Sequence, residues 1–133
     1  MKILILPGDG IGTEITAVTR SALEVLDRKF ALGLEFVERD IGMAAIEKGL
    51  DPMPEAIMEE VRATPFTMLG PVSTMEYPSE VQHLPSPSSL IRDNLDLFAN
   101  IRPSRTRTGV PSDAKQNQLV ILTEKKQRFY EVR

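Results

Sequence analysis

Hydroxyl and guanidinium side chains are concentrated in one segment of this sequence, residues 86–103, which reads SPSSLIRDNLDLFANIRP. The pattern predicts a hydroxyl-rich turn, a short amphipathic helix that carries Arg92, and an apolar strand that carries Arg102. A guanidinium group is permanently charged and presents a planar fork of donors, so two of them on neighbouring rigid elements suit a small substrate with carboxylates. We therefore expect Arg92 and Arg102 to converge near the hydroxyl cluster.

The whole chain has the composition of an ordinary globular domain, with 133 residues, 41% hydrophobic and 26% charged. Its net charge of −3 gives no reason to expect nucleic acid or an anionic membrane as the main partner. The absence of cysteine excludes disulfides and thiolate metal sites. The apolar run at residues 3–7 is too short for a signal peptide or a membrane span, so we expect a cytoplasmic protein.

Strand and helix patterns alternate along the chain before and around this segment. Residues 2–6, KILIL, form a continuous apolar run typical of a strand covered on both faces of a parallel sheet. A helix is predicted from Thr13 to an end at Gly33, with Glu14 in its first turn and basic residues in its last. Its apolar positions recur at spacings of three and four: Ile15, Val18, Ala22, Leu26 and Phe30.

The remaining elements extend the same alternation. We predict strands at residues 34–40, 66–69 and 119–122, and helices at 43–48 and 55–62, the last with Ile57, Met58 and Val61 on one face. Together they predict an α/β fold with a parallel-type layered sheet and flanking helices. The loop at 71–87 follows the carboxyl end of a strand, where open α/β sheets build their sites. The methionines at 43, 53, 58, 68 and 75 are interpreted as core residues.

The glycine-rich turn at residues 7–12, PGDGIG, has two interpretations. A dinucleotide-binding turn would have G-x-G-x-x-G, but Thr13 stands where the third glycine should be. In that interpretation, Asp40 at the end of the second strand could bind a ribose. The favoured alternative is a tight strand-to-helix turn with a structural role.

Several of these segments together carry a resemblance. In order and separation, they resemble the amino-terminal part of the isocitrate and isopropylmalate dehydrogenase family. The segments are residues 5–14 (ILPGDGIGTE), 69–73 (LGPVS), 90–92 (LIR), 100–103 (NIRP) and 119–130. Within that family they look more like the isopropylmalate or tartrate dehydrogenase-like branch. The resemblance implies that residues 1–98 are the amino-terminal part of a large α/β domain. Residues 99–133 would begin a smaller substrate and dimerisation domain, so the fold would be incomplete.

The family's activity is the oxidative decarboxylation of a 3-carboxy-2-hydroxy acid, with NAD or NADP as hydride acceptor, Mg²⁺ or Mn²⁺ as metal, and a homodimer as assembly. By resemblance, Arg92 and Arg102 would bind the carboxylates of a small dicarboxylate substrate, with Ser86 and Ser88 adding hydroxyl contacts. Tyr130 corresponds to the family's catalytic tyrosine, which protonates the enol left by decarboxylation. Leu69 and Gly70 border the family's cofactor site.

The sequence also departs from the family pattern. Thr123 stands where the family has a third arginine, although Glu124 is retained, and the charged residues 125–128 replace a turn of asparagine, small, acidic and glycine residues. The family's catalytic lysine, metal-binding aspartates and main adenine-binding segment correspond to positions beyond Arg133. The resemblance therefore assigns no metal ligands to this chain, and we expect it to be inactive alone, as a fragment, a degenerate paralogue or a truncated product.

Two other functions remain open. A non-catalytic remnant could dock onto a full-length relative, or a basic patch could bind nucleic acid or an acidic protein. The patch would comprise Arg102, Arg105, Arg107, Lys125, Lys126, Arg128 and Arg133. It lacks interleaved aromatic residues, so it is the less favoured. His83 is interpreted as a surface residue. Because the family builds its large domain from both ends of its chain, we expect this chain to be marginal, aggregated or partner-dependent.

Overall fold

The first strand, β1 (Lys2–Leu6), lies at the centre of a parallel sheet. It pairs on one side with β2 (Glu35–Glu38) and on the other with β3 (Phe66–Leu69), in the order β2-β1-β3. Leu4, Ile5 and Leu6 are almost wholly buried. A strand that is covered on both faces needs apolar residues at successive positions, which is why this strand does not alternate.

The structure is a computed structural model that describes residues 1–97, 99–105 and 118–124. The contacts divide the chain into two units, Met1–Leu95 and Asp96–Arg133. The first unit contains the parallel sheet and four α-helices: α1 (Gly12–Phe30), α2 (Met43–Ile46), α3 (Glu55–Ala63) and α4 (Pro87–Asn94). A single 3-10 turn at Thr74–Glu76 follows β3. The α/β fold with a parallel sheet and flanking helices is thus confirmed.

The hydrophobic core of the first unit lies between β1 and the segments that follow β2 and β3. Its buried members are Leu4, Leu6, Ile41, Met53, Met58, Val61 and Ile91. Helix α3 contributes Met58 and Val61, with Ile57 packed beside them, so its predicted apolar face is confirmed. Met53 and Met58 are core residues as expected. The core interpretation is wrong for Met75, which lies in the 3-10 turn and is 89% exposed.

Helix α1 begins close to the predicted residue but ends earlier than Gly33. Ala31 adopts the left-handed conformation, with φ of 50°, immediately after Phe30. The backbone N–H of Leu34 donates to the Asp27 carboxylate at 3.1 Å, which turns the chain back along the last turn of the helix. Gly33 lies in the connection to β2 and also has a positive φ. The predicted helix end is therefore wrong by two to three residues.

The apolar stripe of α1 does not face the sheet. Val18 is 71% exposed, and Ile15, Leu26 and Phe30 are exposed with it. The residues buried on this helix are Gly12 and Thr16, and the Thr16 methyl lies against Gly70 at the end of β3. The helix therefore carries two distinct faces, one on its own sheet and one apolar face in solvent.

In the second unit, β4 (Ala99–Arg105) pairs with β5 (Gln118–Glu124) in antiparallel register, with Arg102 opposite Ile121. The strand continues through Pro103 to Arg105, so the prediction of a polar connector from residue 103 is wrong for residues 103–105. Proline is tolerated in a strand that has a free edge. The predicted domain boundary between residues 98 and 99 stays a prediction. No helix within the described residues is long and apolar enough to cross a membrane.

Candidate functional site

Helix α4 begins with a serine cap and is anchored by two buried residues. Ser86 has extended backbone angles, and its hydroxyl accepts a hydrogen bond from the backbone N–H of Ser89 at 3.2 Å. Pro87 occupies the first helical position, where its missing N–H is not needed. Pro87 and Ile91 are buried, which fixes the helix against the core. Side chains on the opposite side of α4 are therefore presented on a rigid support.

The hydroxyl groups at the start of α4 form a chain that ends on Arg92. The Ser86 hydroxyl lies 3.2 Å from that of Ser88 and donates to that of Ser89 at 3.0 Å. The Ser89 hydroxyl in turn accepts from Nη2 of Arg92 at 3.2 Å. Within the described residues, no carboxylate forms a salt bridge with Arg92. The half-buried guanidinium and the hydroxyls thus form a cluster of donors with a net positive charge, which suits a carboxylate.

Ser89 was not among the site residues proposed from the sequence. The structure makes it the direct contact of Arg92, while the predicted Ser86 and Ser88 lie further along the hydroxyl chain. Its spacing would have indicated this role, because Ser89 stands three residues from both Ser86 and Arg92. Residues at that spacing are neighbours on the surface of a helix.

The other predicted substrate and catalytic residues belong to the second unit of the chain. Arg102 is exposed in β4 of the second unit. Its expected convergence with Arg92 concerns two different units and stays a prediction. Thr123, which the resemblance aligns with the family's third arginine, is opposite Asn100 in the β4–β5 pair. Tyr130 lies outside the described residues, and its catalytic role stays a prediction.

A buried carboxylate, Asp9, occupies the middle of the glycine-rich turn after β1 and is only 6% exposed. Its Oδ1 accepts from the backbone N–H of Met43 at 2.6 Å. Its Oδ2 accepts from the backbone N–H of Ser73 at 2.8 Å and from the Tyr77 hydroxyl at 2.7 Å. Burying a carboxylate is unfavourable unless hydrogen bonds replace its water. Here three donors do so, and they come from segments distant in sequence.

Close backbone packing accounts for the glycines around this carboxylate. A Cβ on Gly70 would lie 1.9 Å from the carbonyl oxygen of Pro7, and a Cβ on Gly42 would lie 2.3 Å from Oδ1 of Asp9. The ends of β1 and β3 are further joined by the hydrogen bond from the Asp9 N–H to the Pro71 carbonyl at 2.8 Å. These contacts favour the structural interpretation of the glycine-rich turn. The assignment of Leu69 and Gly70 to a cofactor site stays a prediction.

Tyr77 is the aromatic partner of this carboxylate and is 4% exposed. Burial of the phenol, its hydrogen bond to Asp9 and the negative charge of that carboxylate all raise the pKa of Tyr77 well above its ordinary value. The phenol therefore remains a hydrogen-bond donor throughout the physiological pH range. Sequence reasoning missed both Asp9 and Tyr77, because nothing in the local pattern pairs residues 68 positions apart.

Two further candidates are located on the surface. Asp40, considered as a ribose ligand, is exposed and forms an ion pair with Lys48. His83 is exposed, as interpreted from the sequence. Among the described residues, no group of three or more His, Asp or Glu side chains is close enough to hold a metal ion. That part of the chain therefore does not fit the divalent metal implied by the resemblance.

The fold agrees with comparisons to known proteins. Residues 2–131 match the sequence profile of the isocitrate/isopropylmalate dehydrogenase family, and the chain belongs to that family. It is 36% identical over 120 residues to a 3-isopropylmalate dehydrogenase of Prochlorococcus marinus, an alignment that covers 89% of this chain and 33% of the relative. It is 42% identical over 108 residues to that of Gloeobacter violaceus, covering 78% and 29%.

Solved structures of related dehydrogenases also resemble this chain. The chain is similar to isocitrate dehydrogenase from Methylococcus capsulatus, with a TM-score of 0.77, 30% identity, and coverage of 92% of this chain and 34% of that one. It is also similar to a β-decarboxylating dehydrogenase from Thermococcus kodakarensis, with a TM-score of 0.68, 26% identity, and coverage of 95% and 34%. The chain thus spans about a third of the length of these relatives.

Proposed function

We propose that this chain supplies the amino-terminal, substrate-binding part of a dehydrogenase that oxidises and decarboxylates a 3-carboxy-2-hydroxy acid of the isopropylmalate, tartrate or isocitrate type. The observation that carries the proposal is the donor cluster at the start of α4. There a half-buried Arg92, without a carboxylate partner among the described residues, is held by the hydroxyl of Ser89. Membership of the isocitrate/isopropylmalate dehydrogenase family supports the class of reaction.

In this reaction C2 of the substrate loses a hydride and its hydroxyl loses a proton, the 3-carboxylate is lost as carbon dioxide, and C3 of the resulting enolate takes up a proton. NAD or NADP, when bound, supplies the hydride acceptor. Arg92 binds one carboxylate through its free donors, and the serine hydroxyls restrict the orientation of the substrate. We assign a second carboxylate contact to Arg102 and the proton transfer to Tyr130, both on the resemblance alone.

The chain by itself is proposed to bind substrate without turning it over. The described residues offer no metal cluster, and the Mg²⁺ or Mn²⁺ of the full reaction would need ligands from elsewhere. We propose that a full-length relative supplies those ligands, because a homodimer of this chain would add only residues that the chain already contains.

A calorimetric titration of the 133-residue chain with 3-isopropylmalate, tartrate and isocitrate tests this proposal. Arg92→Gln should weaken binding of the preferred acid by at least about tenfold, because a charge-assisted hydrogen bond contributes about 1.5–3 kcal/mol. Arg28→Gln is the matched control, since Arg28 is an exposed arginine at the far end of α1. Equal affinity of the two variants would reject the assignment of Arg92, and absence of binding to any of the three acids would reject the function.

A second candidate function, docking onto a full-length relative, is favoured by the exposed apolar stripe of α1. Because the chain spans about a third of its relatives, the occupant we propose for this face is the remaining part of the family fold. Size measurement of the chain alone and mixed with a full-length 3-isopropylmalate dehydrogenase tests it. If the chain is monomeric both alone and in the presence of the full-length relative, docking is excluded.

A further inference from the structure

The loop between β3 and α4 is fixed at two points by one side chain. Both the backbone N–H of Ser73 and the hydroxyl of Tyr77 donate to Oδ2 of Asp9, at 2.8 Å and 2.7 Å. The other oxygen of the same carboxylate accepts from the N–H of Met43, at the start of α2. The carboxylate therefore cannot move without disturbing hydrogen bonds to two other segments.

Between Tyr77 and the start of α4, hydrogen bonds hold residues 77–84 in a compact turn. The side-chain amide of Gln82 donates to the Tyr77 carbonyl at 2.7 Å, and the backbone N–H groups of Val81 and Leu84 each donate to a carbonyl three residues earlier, at 3.0 Å. Ser86, which caps α4, follows two residues after Leu84. Only Pro85 separates this internally bonded segment from Ser86, so a displacement of Tyr77 has a short covalent path to the cap of α4.

We infer that Asp9 is a positioning residue for the donor cluster of α4, because it sets the path of residues 73–86 and with it the place where α4 begins. The role in substrate binding rests on the proposed function, whereas the geometric coupling from Asp9 to Ser86 does not. Asp9 itself lies in the glycine-rich turn, and nothing in the described residues places it in contact with Arg92.

Two variants separate this role from general support of the fold. Tyr77→Phe removes one hydroxyl and leaves Asp9 with its two backbone donors, so the variant retains most of the network. Asp9→Asn replaces an acceptor-only group with one that presents N–H groups to a buried donor. Thr19→Ala is the matched control, because the Thr19 hydroxyl donates only to the Ile15 carbonyl on the exposed side of α1.

The first measurement needs no ligand. In the ¹⁵N-labelled 133-residue chain, the amide of Ser89 reports on the cap because it donates to the Ser86 hydroxyl. We expect Tyr77→Phe and Asp9→Asn to shift the Ser89 resonance and to accelerate its hydrogen exchange, under conditions where circular dichroism shows the variant to be folded. Thr19→Ala should leave both unchanged. The second measurement is dicarboxylate affinity by calorimetry, which Tyr77→Phe should weaken by about threefold to tenfold.

The outcomes distinguish this inference from the proposed function. If the resonance and the exchange rate of the Ser89 amide are unchanged in folded Tyr77→Phe, the positioning role is overturned, whatever the result for Asp9→Asn. An altered Ser89 amide together with weaker binding supports both proposals. An altered Ser89 amide in a chain that binds no dicarboxylate supports the coupling to Ser86 and overturns the proposed function.

Discussion

Replacement of Gly70 by alanine tests how tightly the ends of β1 and β3 are packed. The added Cβ would lie 1.9 Å from the Pro7 carbonyl oxygen and 2.8 Å from its carbon, where ordinary contact begins at 3.4 Å. The two backbones must therefore separate by about 1.5 Å. Such a movement weakens the hydrogen bond from the Gly70 N–H to Leu6 and that from the Asp9 N–H to Pro71, each now 2.8 Å long.

The expected decrease in the free energy of unfolding follows from these contacts. Two hydrogen bonds contribute about 1 kcal/mol each, and overpacking of a tight site costs about 1–3 kcal/mol more. Gly70→Ala should therefore lower the free energy of unfolding by about 3–5 kcal/mol, a large part of the stability of a small domain. The assay is urea unfolding followed by far-ultraviolet circular dichroism, since the chain has no tryptophan.

Gly33→Ala provides the matched control. A Cβ at Gly33 meets nothing within 4 Å, so the substitution adds only the strain of a positive φ, about 1–2 kcal/mol. The reasoning is refuted if Gly70→Ala destabilises the chain no more than Gly33→Ala does.

Three further predictions concern ionisation, association and metal binding. In a Tyr130→Phe variant Tyr77 is the sole tyrosine, and absorbance at alkaline pH should show it ionising above the ordinary value of about 10. Because the pKa of Tyr77 is raised in the folded state, the stability gained from the neutral phenol is complete below pH ~10 and is lost as pH rises toward the folded pKa. In Tyr77→Phe the free energy of unfolding should therefore decrease less steeply over this alkaline range. Val18→Glu should change the unfolding free energy by no more than about 0.5 kcal/mol, because Val18 is exposed, yet abolish any association with a full-length relative on size-exclusion chromatography. Millimolar Mg²⁺ should leave the Tm of the chain unchanged, whereas an increase would indicate a metal site formed by this chain alone.

The predictions from sequence were most accurate for features that depend only on residue type and on neighbours a few positions away. The strand at Phe66–Leu69 has the predicted limits, and Ser86 caps α4 with the hydroxyl chemistry expected of its residue type. An N-cap depends on a serine and the backbone N–H three residues later, so the information is local. The family could also be recognised from short motifs, because their order and spacing are properties of the sequence.

Reasoning from periodicity did not establish which face of α1 is covered. The spacing of Ile15, Val18 and Leu26 correctly predicts a helix, yet these residues are exposed and Thr16 lies against the sheet. Periodicity describes the faces of one helix, whereas burial depends on which other segments are present to pack on each face. The end of the helix was misplaced for a related reason, since Asp27 bonds to Leu34 only after the chain has turned.

The sequence by itself determined the class of fold, the burial of β1 on both faces, and the group of serine and arginine residues at α4, because each depends on residue type and near-neighbour spacing. Only the tertiary structure revealed the role of Asp9, whose partners Met43, Ser73 and Tyr77 lie 34 to 68 positions away. It also revealed why Gly70 must be a glycine, which depends on a carbonyl of a different strand connection. The physical reason is that a buried carboxylate and a close backbone crossing are stabilised by whatever segments the fold brings to them, and local sequence does not specify those segments.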